Sequence, residues 1–260
     1  MNRVVVITCG TSVIGLDLKK LFCAQGDCVI TISTREQEDD MHYAIDVADE
    51  IRVKQAIDAI GEKYGKIDIL INNAGFGMSG ITELVGFEQI QKLTEVNYYG
   101  MLHLIRSSLK YMNKGSKIIN MSSAMALFPV PFRSVYGSVK AAVLNFSFSL
   151  RMELKSLGID VIAFCPGDVK TNFTKNRIKD FNTTDRYGNR LQSATQKSDD
   201  REDKRISCIS CAKAIFKKIN NKNSKPFYII GTKYKVLYFM SRITPKSWLL
   251  AITNKLYGGK

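Results

Sequence analysis

A tyrosine and a lysine stand four residues apart in Tyr136-Gly137-Ser138-Val139-Lys140. On a helix that spacing puts a phenol and an ammonium on one face. With 11 tyrosines in a lysine-rich chain, one such pair arises by chance, and a solvated pair is the plain alternative. Its setting adds a third group, because Ser122-Ser123 ends the run Lys117–Met121 shortly before that helix. A second string, Asn72-Asn73-Ala74-Gly75, follows Asp68-Ile69-Leu70-Ile71. Small residues at a strand's end let a ligand approach the backbone, and asparagines can tie the loop to its neighbours. A third string, Thr8 to Gly15 (TCGTSVIG), joins Val4–Ile7 to a helical pattern that begins Leu16-Asp17-Leu18. A helix N-terminus offers unpaired N–H groups and the positive dipole end, which suits phosphate. Thr8, Thr11 and Ser12 add hydroxyls there, although an ordinary chain-reversing turn uses the same residues.

These groups converge only if the intervening elements bring them together. Val4–Ile7, Cys28–Ile32, His42–Ile45, Ile67–Ile71, Lys117–Met121, Asp160–Phe164 and Phe227–Ile230 read as strands. Gly15–Ala24, Asp49–Tyr64, most of 87–113, Ser134–Leu157 and Cys208–Ile219 read as helices. Such alternation predicts an α/β, doubly wound parallel sheet, Rossmann-like, covered on both faces, with ligands at the carboxyl ends of its strands. The serine, tyrosine and lysine then meet at that edge. Residues 172–206 are polar and charged, which predicts an irregular lid or a disordered loop.

The 260 residues are 45% apolar, enough for a core without disulfide staples. Six cysteines are scattered, and Cys208 and Cys211 form a CxxC with no second pair nearby. They read as turn-spaced helix residues, and no metal site is expected. The chain opens directly on a strand and holds no apolar run of about 18 residues, so neither a signal peptide nor a spanning helix is expected and a cytoplasmic location follows. The net charge of +14 is uneven. Residues 1–171 hold 18 Lys/Arg against 18 Asp/Glu, and residues 172–260 hold 20 against 6. That asymmetry suits an anionic surface or partner, or simply a solvated basic face. No recognition motif supports nucleic-acid binding.

In order and spacing these strings resemble the short-chain dehydrogenase/reductase family over roughly residues 3–231. The family's Tyr-x-x-x-Lys matches Tyr136 and Lys140, its catalytic serine Ser123, and its Asn-Asn-Ala-Gly residues 72–75. Its catalytic asparagine matches Asn97 of Asn97-Tyr98-Tyr99-Gly100, and its Pro-Gly segment matches Pro166-Gly167-Asp168-Val169-Lys170-Thr171. Its acid beside adenine matches Asp46 of Asp46-Val47. The resemblance implies hydride transfer between nicotinamide and a carbonyl or alcohol carbon. In that scheme Tyr136 is the acid/base, Lys140 lowers its pKa and holds the ribose, Ser123 binds the substrate oxygen, and Asn97 positions a water. It also implies coenzyme contacts from Thr8, Gly10, Thr11, Ser12, Ile14, Gly15, Ser33, Thr34, Arg35, Asp46, Val47, Asn73, Ala74, Gly75, Pro166, Gly167, Val169 and Thr171, besides Tyr136 and Lys140. Ser33 replaces the acid an NAD site uses, and Arg35 suits a 2′-phosphate, so NADP(H) is favoured over NAD(H), with Glu36 arguing the other way.

The opening loop departs from the family's Thr-Gly-x-x-x-Gly-x-Gly, since Cys9 and Val13 replace two glycines and Gly15 remains. Gly15 is expected to let the helix pack closely, and Gly10 to absorb the turn. Val13 is expected to crowd the pyrophosphate and resist left-handed backbone, giving a shifted loop with altered coenzyme contact.

Phe76, Met78, Phe128, Val130, Phe132 and Phe173 suit an apolar pocket for a steroid-, retinoid- or lipid-like carbonyl, or ordinary loop packing. The expected organisation is a dinucleotide-binding oxidoreductase domain over 1–232, including the lid 172–206, and a basic amphipathic tail over 233–260. In that tail Val236, Leu237, Tyr238, Phe239, Met240, Trp248, Leu249, Leu250, Ile252, Leu256 and Tyr257 are interspersed with Lys233, Lys235, Arg242, Lys246 and Lys255, and Pro245 should split it into two short helices. The pattern suits an anionic membrane interface, hence a peripheral location, or a helix packed on a partner subunit. Competing readings are a 3-oxoacyl-carrier-protein reductase and a non-catalytic nucleotide sensor or scaffold. The resemblance also implies a homodimer or homotetramer through helices 97–112 and 134–157.

Overall fold

The computed structural model describes residues 2–170, 177–180, 182–199 and 205–258. Its strands are β1 (Val4–Thr8), β2 (Cys28–Ser33), β3 (His42–Ala44), β4 (Ile69–Asn72), β5 (Met78–Ser79), β6 (Lys117–Met121), β7 (Asp160–Pro166), β8 (Val169–Lys170), β9 (Ile178–Lys179), β10 (Ile206–Ser207) and β11 (Phe227–Ile230). The helices are α1 (Val13–Ala24), α2 (Glu50–Tyr64), α3 (Phe87–Thr94), α4 (Gly100–Ser108), α5 (Ser134–Glu153), α6 (Arg190–Asp199), α7 (Cys208–Ile219), α8 (Thr232–Ile243) and α9 (Lys246–Tyr257). Seven strands form one sheet in the order β11-β7-β6-β4-β1-β2-β3, every pair parallel. The fold is the doubly wound, Rossmann-like single domain.

Both sheet faces are covered, so the strands are apolar on both sides. Val4 and Val6 face the layer holding Val53, Ile57, Leu104 and Val143, while Val5 and Ile7 face Leu18, Phe22, Cys211 and Ile215. Alternate residues of one strand thus anchor opposite helix layers. Asp49 caps α2 by accepting from Arg52 N at 3.0 Å, and Gly65 ends it with φ 72°. Buried polar bonds fasten α5 to the sheet: Asn72 Nδ2 donates to Asn120 Oδ1 (2.8 Å), Asn120 Nδ2 to Ser147 Oγ (2.9 Å), and Ser122 Oγ to the Lys140 carbonyl (2.7 Å). Those bonds set the height of α5, and with it Tyr136 and Lys140, above the sheet's carboxyl edge.

Two regions differ from expectation. The helical stretch 87–113 is divided by a π-helical segment at Glu95–Tyr99. Residues 172–206, expected to be irregular, include the ten-residue helix α6. Its sequence is polar, but Leu191 and Thr195, one turn apart, are buried, and it lies against α9. Pro245 does break the tail, standing immediately before α9. The tail is not detached from the body, since Tyr234, Leu249 and Thr253 are buried against it.

Candidate active site

A cleft of about 540 Å³ opens along the carboxyl ends of β1, β2, β4, β6 and β7. Tyr136 and Lys140 line it from α5, with Ser123 from the end of β6. Tyr136 is 6% exposed and Lys140 5%, so this is no solvated surface pair. Ser123 Oγ accepts from Met125 N at 3.2 Å, which aims the side chain at the tyrosine. Burial pushes the Tyr136 phenol above its ordinary value, while the Ser123 hydrogen bond and the nearby Arg133 and Arg177 guanidiniums pull against that rise. Burial also lowers Lys140 to about 8. Its ammonium donates to the Met121 carbonyl at 3.0 Å.

Asn97 stands behind these groups rather than in the cleft lining. Its Nδ2 donates to the Leu93 carbonyl at 2.9 Å, whereas its Oδ1 is buried with no hydrogen-bond partner among the described residues. The π-helical turn carries it there, a bulge of the kind often found at functional sites. Gly75 lies between them: a methyl group on it would come within 2.5 Å of Asn97 Oδ1 and 3.3 Å of Lys140 Nζ. Glycine is required because any side chain would fill the space joining the unpaired oxygen to the ammonium.

The loop after β1 solves its turn in an unexpected way. Cys9, not Gly10, takes the left-handed backbone, with φ 51°. Gly10 instead packs against Thr31, whose side chain occupies the space a Gly10 methyl would need. Val13 begins α1 in helical conformation, so its β-branch meets no left-handed strain, although its side chain does line the cleft. Gly15 lets α1 approach the loop, because a methyl there would overlap the Cys9 carbonyl. That carbonyl accepts from Ser12 N at 3.0 Å and Ser12 Oγ at 2.8 Å, closing the turn at the start of α1. Burial, the largest influence, raises the Cys9 thiol, and Asp46 and Arg35 act on it with opposite sign.

The remaining sequence-predicted residues fall into two groups. Thr11, Ser12, Ile14, Ser33, Thr34, Arg35, Asn73, Gly75, Pro166, Gly167 and Val169 line the cleft. Thr11 and Ser33 hydroxyls are 3.1 Å apart, and the Arg35 side chain makes no ion pair or hydrogen bond with the described residues. Thr8 does not face the cleft. Its Oγ1 accepts from Asn73 N (2.9 Å) and Ala74 N (2.8 Å), tying the loops after β1 and β4 together. Val47 is buried against Gly100, and Asp46 is exposed and turns inward on itself by accepting from Ala48 N at 3.0 Å. Thr171 and Phe173 lie outside the described residues. Of the apolar set, Phe76 and Met78 line the main cleft, while Phe128, Val130 and Phe132 border two small side cavities. Phe132 is turned away in left-handed backbone, φ 62°, under Arg190.

Sequence reasoning missed Arg133, Arg177 and Arg205, which reach the cleft from three separate segments. No spacing connects them, and only Arg133, three residues before Tyr136, carried a local hint. Met121 and Met125 were missed as apolar lining for the same reason. The chemistry available is proton transfer at Tyr136 Oη beside a hydrogen-bonding serine, a buried ammonium and an unfilled acceptor. Among the described residues no cluster could hold a metal ion, the cysteines are unpaired, and no helix is long and apolar enough to cross a membrane.

Comparison with known proteins agrees with this geometry. A family model described as short chain dehydrogenase matches residues 3–182. A 3-ketodihydrosphingosine reductase from Bacteroides thetaiotaomicron is 33% identical over 180 residues, 67% of each chain. A probable short-chain type dehydrogenase/reductase, VdlC, from Helicobacter pylori is 30% identical over 254 residues, 94% of this chain and 93% of that one. A short-chain dehydrogenase structure from Streptomyces avermitilis superposes with a TM-score of 0.83 over 97% of this chain and 95% of that one, at 22% identity.

Proposed function

The chain belongs to the short-chain dehydrogenase/reductase family and is an NAD(P)-dependent oxidoreductase, and from that premise we propose that it uses NADP(H) to interconvert a lipophilic ketone and its secondary alcohol. The observation that carries the reading is the buried Ser123–Tyr136–Lys140 group facing one cleft, with Asn97 Oδ1 unpaired behind it. The residues fit a nicotinamide coenzyme: the cleft is floored by Gly75, edged by the first turn of α1, and ends at Ser33, Thr34 and Arg35. Bound there, the coenzyme supplies or accepts the hydride.

This chain's own residues handle the oxygen and the proton. Ser123 donates to the substrate oxygen and steadies the charge that develops on it. Tyr136 Oη delivers the proton in reduction and takes it back in oxidation. The Ser123 hydrogen bond and the two guanidiniums favour the phenolate against the cost of burying it, and the Lys140 ammonium, one helical turn along α5, is assigned the same role. Lys140 is re-supplied with protons through a water held by Asn97 Oδ1. Arg35, unengaged at the far end, supports the preference for a 2′-phosphate. Phe76, Met78, Met121 and Met125 support an apolar substrate, as does a relative named for reducing 3-ketodihydrosphingosine. The basic tail supports contact with an anionic membrane surface, and helices 97–112 and 134–157 a homodimer or homotetramer.

The test is turnover of a panel of lipophilic ketones with NADPH and NADH. Tyr136→Phe should lower kcat by roughly 10³-fold and leave coenzyme binding intact, since general acid–base catalysis contributes about 10²–10⁴-fold. Near-normal turnover in that variant would remove the tyrosine from its role.

A further inference from the structure

The two tail helices present a face that the body does not cover. On α8 the exposed residues Val236, Phe239, Met240 and Ile243 recur at i, i+3, i+4 and i+7, opposite the buried Tyr234. Phe239 and Ile243 are each 66% exposed. On α9 Trp248, 67% exposed, and Ile252 continue the apolar surface. Lys235 and Arg242 flank the stripe on α8, and Lys246 and Lys255 stand on α9. From residue 233 to the last residue the chain carries 6 Lys/Arg and no Asp or Glu. A second copy would set two such cationic surfaces against each other, whereas an anionic bilayer accepts both the apolar stripe and the charge.

The opposite side of α8 rests on the cleft. The Tyr234 ring occupies the space a Gly167 side chain would need, and its hydroxyl donates to Asp168. Tyr234, Leu237 and Tyr257 share a cavity of about 40 Å³ with Ser123 and the Pro166–Gly167–Asp168 loop. Lys233 Nζ lies over both the Tyr234 and Tyr257 rings, joining α8 to the end of α9. One helix therefore touches solvent with its apolar face and the coenzyme loop with its buried face.

We propose that α8 and α9 dock this chain on an anionic lipid bilayer, and that docking steadies the Pro166–Asp168 loop through Tyr234 and so tightens coenzyme binding. The docking half deepens the membrane contact proposed above by naming the surface that makes it, and the coupling half rests on the coenzyme reading. The full chain is to be sedimented with vesicles of phosphatidylcholine alone and of phosphatidylcholine with phosphatidylglycerol. Wild type should pellet with the anionic vesicles, and the double variant Phe239→Glu, Ile243→Glu should bind them about tenfold more weakly or worse. Equal pelleting of the two, or a wild type that ignores the vesicles and whose particle size falls in the double variant, would overturn docking, the latter by making the stripe a contact between copies.

NADPH affinity, read by nicotinamide fluorescence, should tighten about fivefold when anionic vesicles are added to wild type, the low end of common coupling strengths. The double variant should bind NADPH as wild type does without vesicles and show no tightening. Tyr234→Phe should still pellet but lose most of the effect. NADPH binding indifferent to vesicles overturns the coupling and leaves docking to its own result. Failure of vesicle-free wild type to bind NADPH removes the coenzyme reading and the coupling together.

Discussion

Lys140 should be a liability for the resting fold, and replacing it should stabilise the coenzyme-free protein. Burial lowers its pKa from 10.5 to about 8. At about 1.4 kcal/mol per pKa unit, that gap is worth about 3 kcal/mol against the folded state wherever the lysine is charged. Lys140→Met removes the buried charge but leaves the Met121 carbonyl without its donor, which costs back about 1 kcal/mol. The net gain at pH 7 is about 2 kcal/mol, or roughly 5 °C in Tm for a chain of this size. Between pH 8 and 10.5 the unfolded chain still holds the lysine proton and the folded one has released it, so the penalty that this lysine imposes on the fold fades as pH rises across that window. Cys165, pushed up to about 12 by burial, and Tyr136, also raised, act in the opposite sense above about pH 9, because the unfolded chain releases their protons first; both groups are present in the variant as well, so the difference between the two proteins reports the lysine. Thermal melts of both proteins from pH 7 to pH 10, without coenzyme, give the difference directly. The variant should lead at pH 7 and lose its lead by pH 10, while losing turnover by at least about 10²-fold. A variant less stable than wild type at pH 7, or a difference that ignores pH, would refute the claim that this ammonium is buried at a cost.

Other substitutions probe the rest of the site. Arg35→Ser should weaken NADPH binding by about tenfold to a hundredfold, the worth of a charge-assisted hydrogen bond, and leave NADH unchanged; equal losses for both would remove the 2′-phosphate role. Gly15→Ala should lower stability by about 1–3 kcal/mol and weaken coenzyme binding, because the added methyl meets the Cys9 carbonyl, a backbone atom that cannot swing aside. A melting temperature equal to wild type would show that α1 can recede. Ser123→Ala should reduce kcat by about 10²-fold with a smaller change in KM, as expected for a donor that acts on developing charge; a change in KM alone would make it a binding residue.

Much of this molecule is local in origin and so was legible in its sequence. The apolar runs of β1, β4, β6 and β7 announce buried parallel strands, and the spacing of Tyr136 and Lys140 puts them on one helical face before any packing is known. The order of motifs was enough for the family. What tertiary structure decided are the matters settled by groups far apart in the chain. Cys9 takes the left-handed turn, while residue 10 must be glycine because Thr31 on the neighbouring strand fills the space a side chain would need. Asn97 loses its partner because a π-helical turn, invisible to residue spacing, faces it toward Gly75. Arg133, Arg177 and Arg205 meet only because loops from separate crossovers close over one edge of the sheet. The helix α6 forms from a polar segment that lies against α9 and buries Leu191 and Thr195, one turn apart, in the folded chain. Periodicity reports what one segment prefers; which segments become neighbours depends on strand order and crossover, and the cleft is made of neighbours.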